Sequence, residues 1–466
     1  MSDDACAAFL PTGKYPGKAH AARVAEYIEK HGGDASGVLY LEGQTTKMIE
    51  DNDEACAFRQ RRYFYYLTGC ATPDCAYTYD MKSKKATLFI PPVNPEDVIW
   101  SGLPLSVTDA LAVFDVDDVQ TTDELNTHLA SIAEKRTLHT IPTHFSSHVR
   151  ADHLAVKEDL LKKGIEICRV IKDEYEVGLI KHANAVSTSA HVAVIRAARD
   201  STTESELYGA FLQTCISKGC EHQAYHGIFA SGTAAATLHY VRNDAPLKGK
   251  LNVLVDAGAE SNCYAADITR VFPLSGRFTR ESKAVYETVL RMQKECMAMI
   301  MPGVSWEAVH EHAHKVAIDG LLEMGILKGD RKEIFEARTS VAFFPHGLGH
   351  YLGMDTHDTG GNPDYADPDP MFKYLRVRGK LPAGSVVTVE PGIYFCEYII
   401  EPYLKDPKHS KYISKAVLDR FWDVGGVRIE DDVLVTEDGF ENLTTTPKEV
   451  SEIEELVCSG EAGIIR

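Results

Sequence analysis

A chain that places carboxylates inside strand-forming runs has few folds open to it, because a buried charge without a partner is costly. The stretch LVDAGAESNCYAADITR, residues 254–270, does this twice. Apolar, β-branched runs enter and leave it, and Asp256 and Asp267 sit inside those runs rather than in the AESNC turn. Asp is a poor strand former. The midpoint of the two aspartates falls in the turn, so an antiparallel hairpin centred there makes them near-opposite partners on one face. Their Cβ atoms would then lie about 4.5–5.5 Å apart. Two carboxylates that close repel unless a proton or a cation lies between them. An isolated pair fits a solvated sheet face equally well.

Three further groups narrow the choice. His350 in PHGLGHYLG, Glu390 in VVTVEPG and Glu430 in GVRIEDDV each lie in or beside a strand-like apolar stretch. A plain core does not tolerate one acid per strand across several strands. Four carboxylates and one imidazole form a ligand set for two divalent cations. Hard oxygen donors with a single nitrogen favour Mn²⁺, with Co²⁺, Zn²⁺ or Fe²⁺ as competitors. Two such ions about 3.5–4 Å apart activate a shared water and polarise a carbonyl, which suits amide hydrolysis. Thr269, two residues after Asp267, shares its strand face and can bond a ligand.

The 466 residues suffice for two or three domains. With 49 Lys and Arg against 68 Asp and Glu, the net charge is −19. Such a surface repels nucleic acids and anionic membranes, so neither is expected as a partner. The N-terminus MSDDACAAFLPTGKYPG has the features of neither a signal nor a transit peptide. No apolar run approaches a membrane span. Eleven cysteines without a CxxC pair read as reduced thiols, and a cytoplasmic protein is expected.

Residues 1–170 alternate helix-like and strand-like runs: KAHAARVAEYIEKHGG, GVLYLEG, AYTYD and ATLFIP around a KSKK turn, TTDELNTHLASIAEK, TLHTIP. That alternation predicts a small α/β domain. Residues 171–466 begin with long helices, one capped through Thr203-Glu204-Ser205-Glu206 and one running from about Ser305 to Met324. They continue as LNVLVDAG, YAADITRVF, SVAFFPHGLGH, SVVTVEPGIYF and GVRIEDDVLVT, read as strands of an α+β domain. HEHAH, 310–314, puts imidazoles one turn apart. Without a third ligand it reads as a solvated helix face rather than a zinc site. No GxSxG, P-loop or dinucleotide fingerprint stands in a suitable context.

DAGAESNCYAADITRVFP, HGLGHYLGMDTHD, TVEPGIYF and GVRIEDDVLVTEDGFENLT, with FRQRRYFYYLTG and ASGTAAATLHY, resemble the M24 metallopeptidases of the Xaa-Pro aminopeptidase and prolidase branch, eukaryotic and fungal type. The resemblance runs over nearly the whole chain. It implies an α/β N-terminal domain, a C-terminal pita-bread catalytic domain and a homodimer. It implies that Asp256, Asp267, His350, Glu390 and Glu430 bind two metal ions, with Asp267 and Glu430 bridging. His239 would stabilise the tetrahedral intermediate and His357 contact the substrate. His346 would line the pocket, Arg428 orient the bridging glutamate, and Glu390 shuttle the proton. Arg376 aligns with the prolidase arginine that holds the proline carboxylate, a task suited to a planar guanidinium.

The implied reaction is hydrolysis of the bond between an N-terminal residue and proline, in short proline-containing peptides. It has two versions, an aminopeptidase for longer peptides and a strict dipeptidase. A metal-free binding module and a creatinase-type hydrolase both predict lost carboxylate ligands, and none is lost. A bare methionine aminopeptidase does not account for the long N-terminal part.

Overall fold

The alternating runs of the first third assemble into a six-stranded mixed sheet, seen in a computed structural model that describes residues 6–460. Helix α1 (Gly17–Lys30) buries Ala21, Val24 and Ile28, one face at helical spacing. The strands are β1 (Val38–Glu42), β2 (Ala76–Asp80), β3 (Lys85–Ile90), β4 (Asp118–Thr121), β5 (Thr137–His139) and β6 (Ala155–Lys157), in the order β4-β3-β2-β1-β5-β6. β2 and β3 form the expected hairpin around the KSKK turn, where Asp80 accepts from the amides of Lys82 and Ser83. TTDELNTHLASIAEK is α-helical only over Leu125–Ala130, after a 3₁₀ turn capped by Thr121 and Glu124.

The chain divides into two compact units, Pro11–Arg169 and a second that starts at Val170 and takes in the described residues before Pro11. The second unit is the α+β part. Helix α2 (Glu174–Ala197) starts at Asp173, whose carboxylate and that of Glu176 form a reciprocal capping box. Helix α3 (Glu204–Ser217) is capped by Thr203 as expected, but Glu206 reaches back to the amide of Thr202 instead of Thr203. Helices α4 (Arg280–Met297) and α5 (Trp306–Glu323) pack together, as do α2 and α3.

The strands of this unit are short: β7 (Ile228–Ser231), β8 (Asn252–Asp256), β9 (Glu260–Ser261), β10 (Tyr264–Ala265), β11 (Thr269–Pro273), β12 (Val386–Val389), β13 (Gly392–Tyr394), β14 (Gly426–Arg428), β15 (Asp431–Val435) and β16 (Phe440–Asn442). They form the sheets β11-β8-β7 and β12-β15-β16 and the pairs β10-β9 and β13-β14. The isolated bridge Thr269↔Glu430 stitches β11 to the acidic run after β14. A second, Tyr351↔Val387, ties the histidine loop to β12.

Two expectations for this unit do not hold. SVAFFPHGLGH is not a strand: a 3₁₀ turn at Thr339–Ala342 gives way to irregular chain through His350. Pro345 has no N–H for a ladder, and Gly347 and Gly349 lie against other backbones. A Cβ on Gly349 would fall 2.0 Å from the Thr388 carbonyl oxygen. HEHAH is not a solvated face either. His310 and His314 are fully buried in the core helix α5, and only His312 turns outward, toward Glu295 at 2.8 Å. His310 donates through Nε2 to the Met371 carbonyl, and His314 Nδ1 meets the Ser340 hydroxyl, so both rings serve packing. Among the described residues every cysteine is a free thiol, and no helix is long and apolar enough to cross a membrane.

Candidate metal centre and active site

The aspartate hairpin is real, but its register differs from a hairpin symmetric about the two acids. β8 and β11 pair with Asp256 opposite Thr269, and β9 and β10 continue that register. The turn is the two residues Asn262 and Cys263, both with positive φ (46° and 67°), as a type I′ turn requires. The bonds Ala257 N to Ile268 O and Ala266 N to Ala259 O place Gly258 across from Asp267. Asp256 and Asp267 are therefore diagonal neighbours on one face, not directly opposed.

A tyrosine joins them. The Tyr225 hydroxyl lies 2.6 Å from Oδ1 of each aspartate. It carries one proton, so it serves one carboxylate at a time. The second oxygen of Asp256 accepts from Arg428 Nη2 at 2.5 Å. Arg428 also donates through Nε to Thr269 Oγ1 (3.2 Å) and through Nη1 to the Tyr394 hydroxyl (2.9 Å). Thr269 in turn donates to Glu430 Oε2 at 2.6 Å, so the strand position opposite Asp256 orients the glutamate.

His350 carries the clearest sign of a cation. Its Nδ1 donates to the Tyr351 carbonyl at 3.0 Å, which fixes the tautomer and leaves the Nε2 lone pair facing the cavity. That lone pair lies 3.4 Å from Asp267 Oδ2 and 3.5 Å from Glu390 Oε1. Acceptors facing acceptors at this distance need a proton or a cation between them. Ligand atoms of Asp267, His350 and Glu430 all lie within 4.8 Å of one another, and all three residues are buried. Burial, then the repulsion of Asp256 and Asp432, pushes Asp267 well above the usual carboxylate range. Burial and the charge of Asp267 do the same to Glu430. Glu390 is pushed up to about 7 by burial and Asp256, against the pull of Arg428. The donor set fits two divalent cations, with oxygens in the majority and one imidazole.

These groups open on a cavity of about 780 Å³, and the remaining candidates line it too: His239, His346, His357 and Arg376. The His357 ring meets that of His350 edge-on, with centroids 4.5 Å apart. His346 donates through Nδ1 to the Gly347 carbonyl, and its Nε2 lies 2.8 Å from the Tyr394 hydroxyl, so Arg428, Tyr394 and His346 form one hydrogen-bonded row. Burial lowers His346 and His357 to about 3, so both are neutral near pH 7. Arg376 faces the cavity, whereas its neighbour Arg378 pairs with Asp367 at 2.5 Å.

Sequence reasoning missed three participants. Tyr225 stands in HQAYHGIF without a pattern to mark it. Tyr394 lies in the quoted run TVEPGIYF but carried no charge to draw attention. Asp432 shares the strand face of Glu430 by period-two spacing. Its Oδ2 accepts from the Asp267 amide (3.0 Å) and from Asn184 Nδ2 (2.8 Å), and burial pushes it up to about 8. A larger, shallower groove of about 1120 Å³ beside α4 holds charges that pair with each other, such as Lys294 with Glu449 and Arg277 with Glu454.

Comparison with known proteins agrees with this arrangement. Residues 178–437 match the model of metallopeptidase family M24, and residues 20–141 that of the aminopeptidase P N-terminal domain. The chain is 61% identical over 453 residues to a probable Xaa-Pro aminopeptidase of Pyricularia oryzae, covering 96% of this chain and 97% of that one. It is 60% identical to another of Fusarium vanettenii, at 96% and 97% coverage. Among solved structures, aminopeptidase PepP of Pseudomonas aeruginosa superposes with a TM-score of 0.79 at 30% identity, covering 96% of this chain and 99% of that one. Aminopeptidase P of E. coli with the inhibitor Pro-Leu gives 0.79 at 26% identity, with the same coverage. With its helices and short sheets in the pita-bread arrangement and its acids converging on one cavity, the chain belongs to the M24 metallopeptidase family.

Proposed function

We propose that this protein is a divalent-metal-dependent aminopeptidase that hydrolyses the bond between an N-terminal residue and a penultimate proline. The observation that carries the reading is the convergence of the buried Asp267 and Glu390 carboxylates on the His350 Nε2 lone pair, in a chain about 60% identical to proteins named Xaa-Pro aminopeptidases. Asp256, Asp267, His350, Glu390 and Glu430 would hold two ions, Mn²⁺ being favoured by the oxygen-rich set. Ions held there supply the positive charge that polarises a carbonyl and acidifies an attacking water.

The chain's own groups do the rest. An Xaa-Pro bond is a tertiary amide with no N–H, so recognition falls to side chains around the proline. His239 donates to the oxyanion that develops on the carbonyl oxygen. Glu390, on the cavity side of the cluster, carries the water proton to the leaving proline nitrogen. Arg428 holds Asp256 and, through Thr269, orients Glu430. His357 and His346 pack around the substrate. The substrates are short proline-containing peptides, and the working form is a cytoplasmic homodimer.

Arg376 favours a second version. Its guanidinium on the cavity wall suits a proline carboxylate, and a capped carboxylate leaves no room for a following residue. Comparing turnover of Gly-Pro with that of Gly-Pro-Pro-Ala separates the two, and equal rates eliminate the strict dipeptidase. Asp267→Asn is expected to lose bound Mn²⁺ and at least about 10³-fold in kcat. Unchanged metal content and activity in that variant would remove the reading altogether.

A further inference from the structure

Away from the metal cluster, a second carboxylate is fully buried, and each of its donors is neutral. Glu204, at the first turn of α3, accepts four hydrogen bonds. Oε1 takes the amide (2.8 Å) and hydroxyl (2.7 Å) of Ser231, and Oε2 takes the Tyr240 hydroxyl (2.8 Å) and the Ala245 amide (3.0 Å). Four donors on two oxygens specify a carboxylate, since a glutamine offers one acceptor oxygen and turns an NH₂ against donors. The position at a helix start also favours negative charge.

The pattern of donors divides the work of this residue. The Ser231 half ties α3 to β7, a plain packing role. The other half grips a loop. The Glu204 amide donates to the Ala245 carbonyl at 3.0 Å, and Ser205 Oγ donates to the Asn243 carbonyl at 2.7 Å. Asn243, held at φ 52°, accepts from the Phe229 amide and donates to the Gly227 carbonyl. The segment fastened this way follows directly on His239, and Leu238, His239 and Val241 line the catalytic cavity. His239 itself is exposed, so its direction is set by the chain on either side.

We infer that Glu204 is a positioning residue, which holds loop 237–246 through Tyr240 so that the His239 imidazole faces the cavity. The inference rests on the reading of His239 as the oxyanion donor. An exposed ring next to an unfastened loop samples many directions, and misplacement of a donor by about 1 Å costs on the order of 10²-fold in rate. Glu204 thus does for His239 what Thr269 does for Glu430.

Tyr240→Phe removes one of the four bonds and leaves the α3–β7 tie intact. Steady-state kinetics on an Xaa-Pro tripeptide with Mn²⁺ are compared for the wild type, Tyr240→Phe, His239→Ala and the double variant. Hydrogen exchange over 237–246 is followed in each. We expect Tyr240→Phe to lower kcat about 10-fold with KM nearly unchanged, as for an interaction felt in the transition state. Exchange in the loop accelerates, the thermal midpoint is unchanged, and in the His239→Ala background the substitution costs nothing more. Equal losses in both backgrounds overturn the inference, because Tyr240 would then act independently of His239. If the wild type does not cleave Xaa-Pro peptides, the proposed function fails instead. The exchange data still decide the clamp, which is overturned if the loop is as protected in Tyr240→Phe as in the wild type.

Discussion

At Gly258 the aspartate hairpin comes so near itself that a Cβ would sit 1.7 Å from the Ala266 carbonyl oxygen. Asp267 lies across from this glycine, and the missing side chain is what lets the Ala266–Asp267 backbone pair so closely at the acidic position. A flexible neighbour could swing away, but a backbone carbonyl in a paired strand cannot. Gly258→Ala is therefore expected to destabilise by about 3 kcal/mol, the upper part of the range for overpacking. It should also weaken Mn²⁺ binding, because the strands part at the ligand positions. Thermal unfolding with and without Mn²⁺ checks both, and an unchanged midpoint would mean the register is wrong. The proposed ligand types stood out in the sequence because acids inside apolar runs are conspicuous. Their pairing was not. Counting symmetrically between the acids centred the turn one residue early, and the αL-tolerant Asn262 was the available clue. Tyr225 was illegible, since a single tyrosine has neither charge nor period to mark it.

Among the elements, the irregular segment between Gly360 and Lys380 does the most for the site with the least secondary structure. It brings Tyr374 and Arg376 to the cavity wall. Arg338 grips it by forking onto Asp369, with Nε 3.1 Å from each oxygen and Nη2 2.7 Å from Oδ2. Arg378 pairs with Asp367, and His310 of α5 donates to the Met371 carbonyl. This explains the burial of His310, whose motif looked like a solvated face: a loop lies over it. Its sequence, PDYADPDPM from Pro363, has the Pro and Asp content of a loop, but its docking was not legible, because the partners come from distant elements. SVAFFPHGLGH misled in the opposite sense, its β-branched and aromatic start outweighing the Pro and Gly that end any ladder. Arg338→Ala leaves the ligands untouched and frees the loop. Expected is a KM for Xaa-Pro dipeptides raised about 3- to 10-fold, with kcat and metal content nearly unchanged, as for lost uniform binding. Kinetics with metal analysis check it, and a fall in kcat at constant KM would place Arg338 elsewhere in the scheme.

Over the whole molecule, the carboxylates of the proposed metal site couple stability to pH. Asp267 and Glu430 are pushed well up by burial and mutual repulsion, Glu390 to about 7 from 4.5, and Asp432, behind them, to about 8 from 3.8. A carboxylate whose pKa is raised by folding binds more protons folded than unfolded. Its contribution is favourable at low pH and is lost as pH climbs through the folded value. For Glu390 and Asp432 in the metal-free protein this loss runs from about pH 4 to about pH 8. Divalent cations act oppositely: they bind the ionised carboxylates, compete with protons at low pH, and stabilise the folded state more as pH rises. The gap in thermal midpoint between Mn²⁺-loaded and chelator-treated protein should therefore widen steadily from about pH 5 to about pH 8. Calorimetry at three or four values across that window measures it. Asp432→Asn mimics the protonated form and keeps an acceptor for the Asp267 amide, so it should flatten the upper part of the metal-free curve without removing the ions. A gap independent of pH would mean that the cluster's acids are ionised without metal, and that Tyr225 and Arg428 alone suffice to hold Asp256 and Asp267 together.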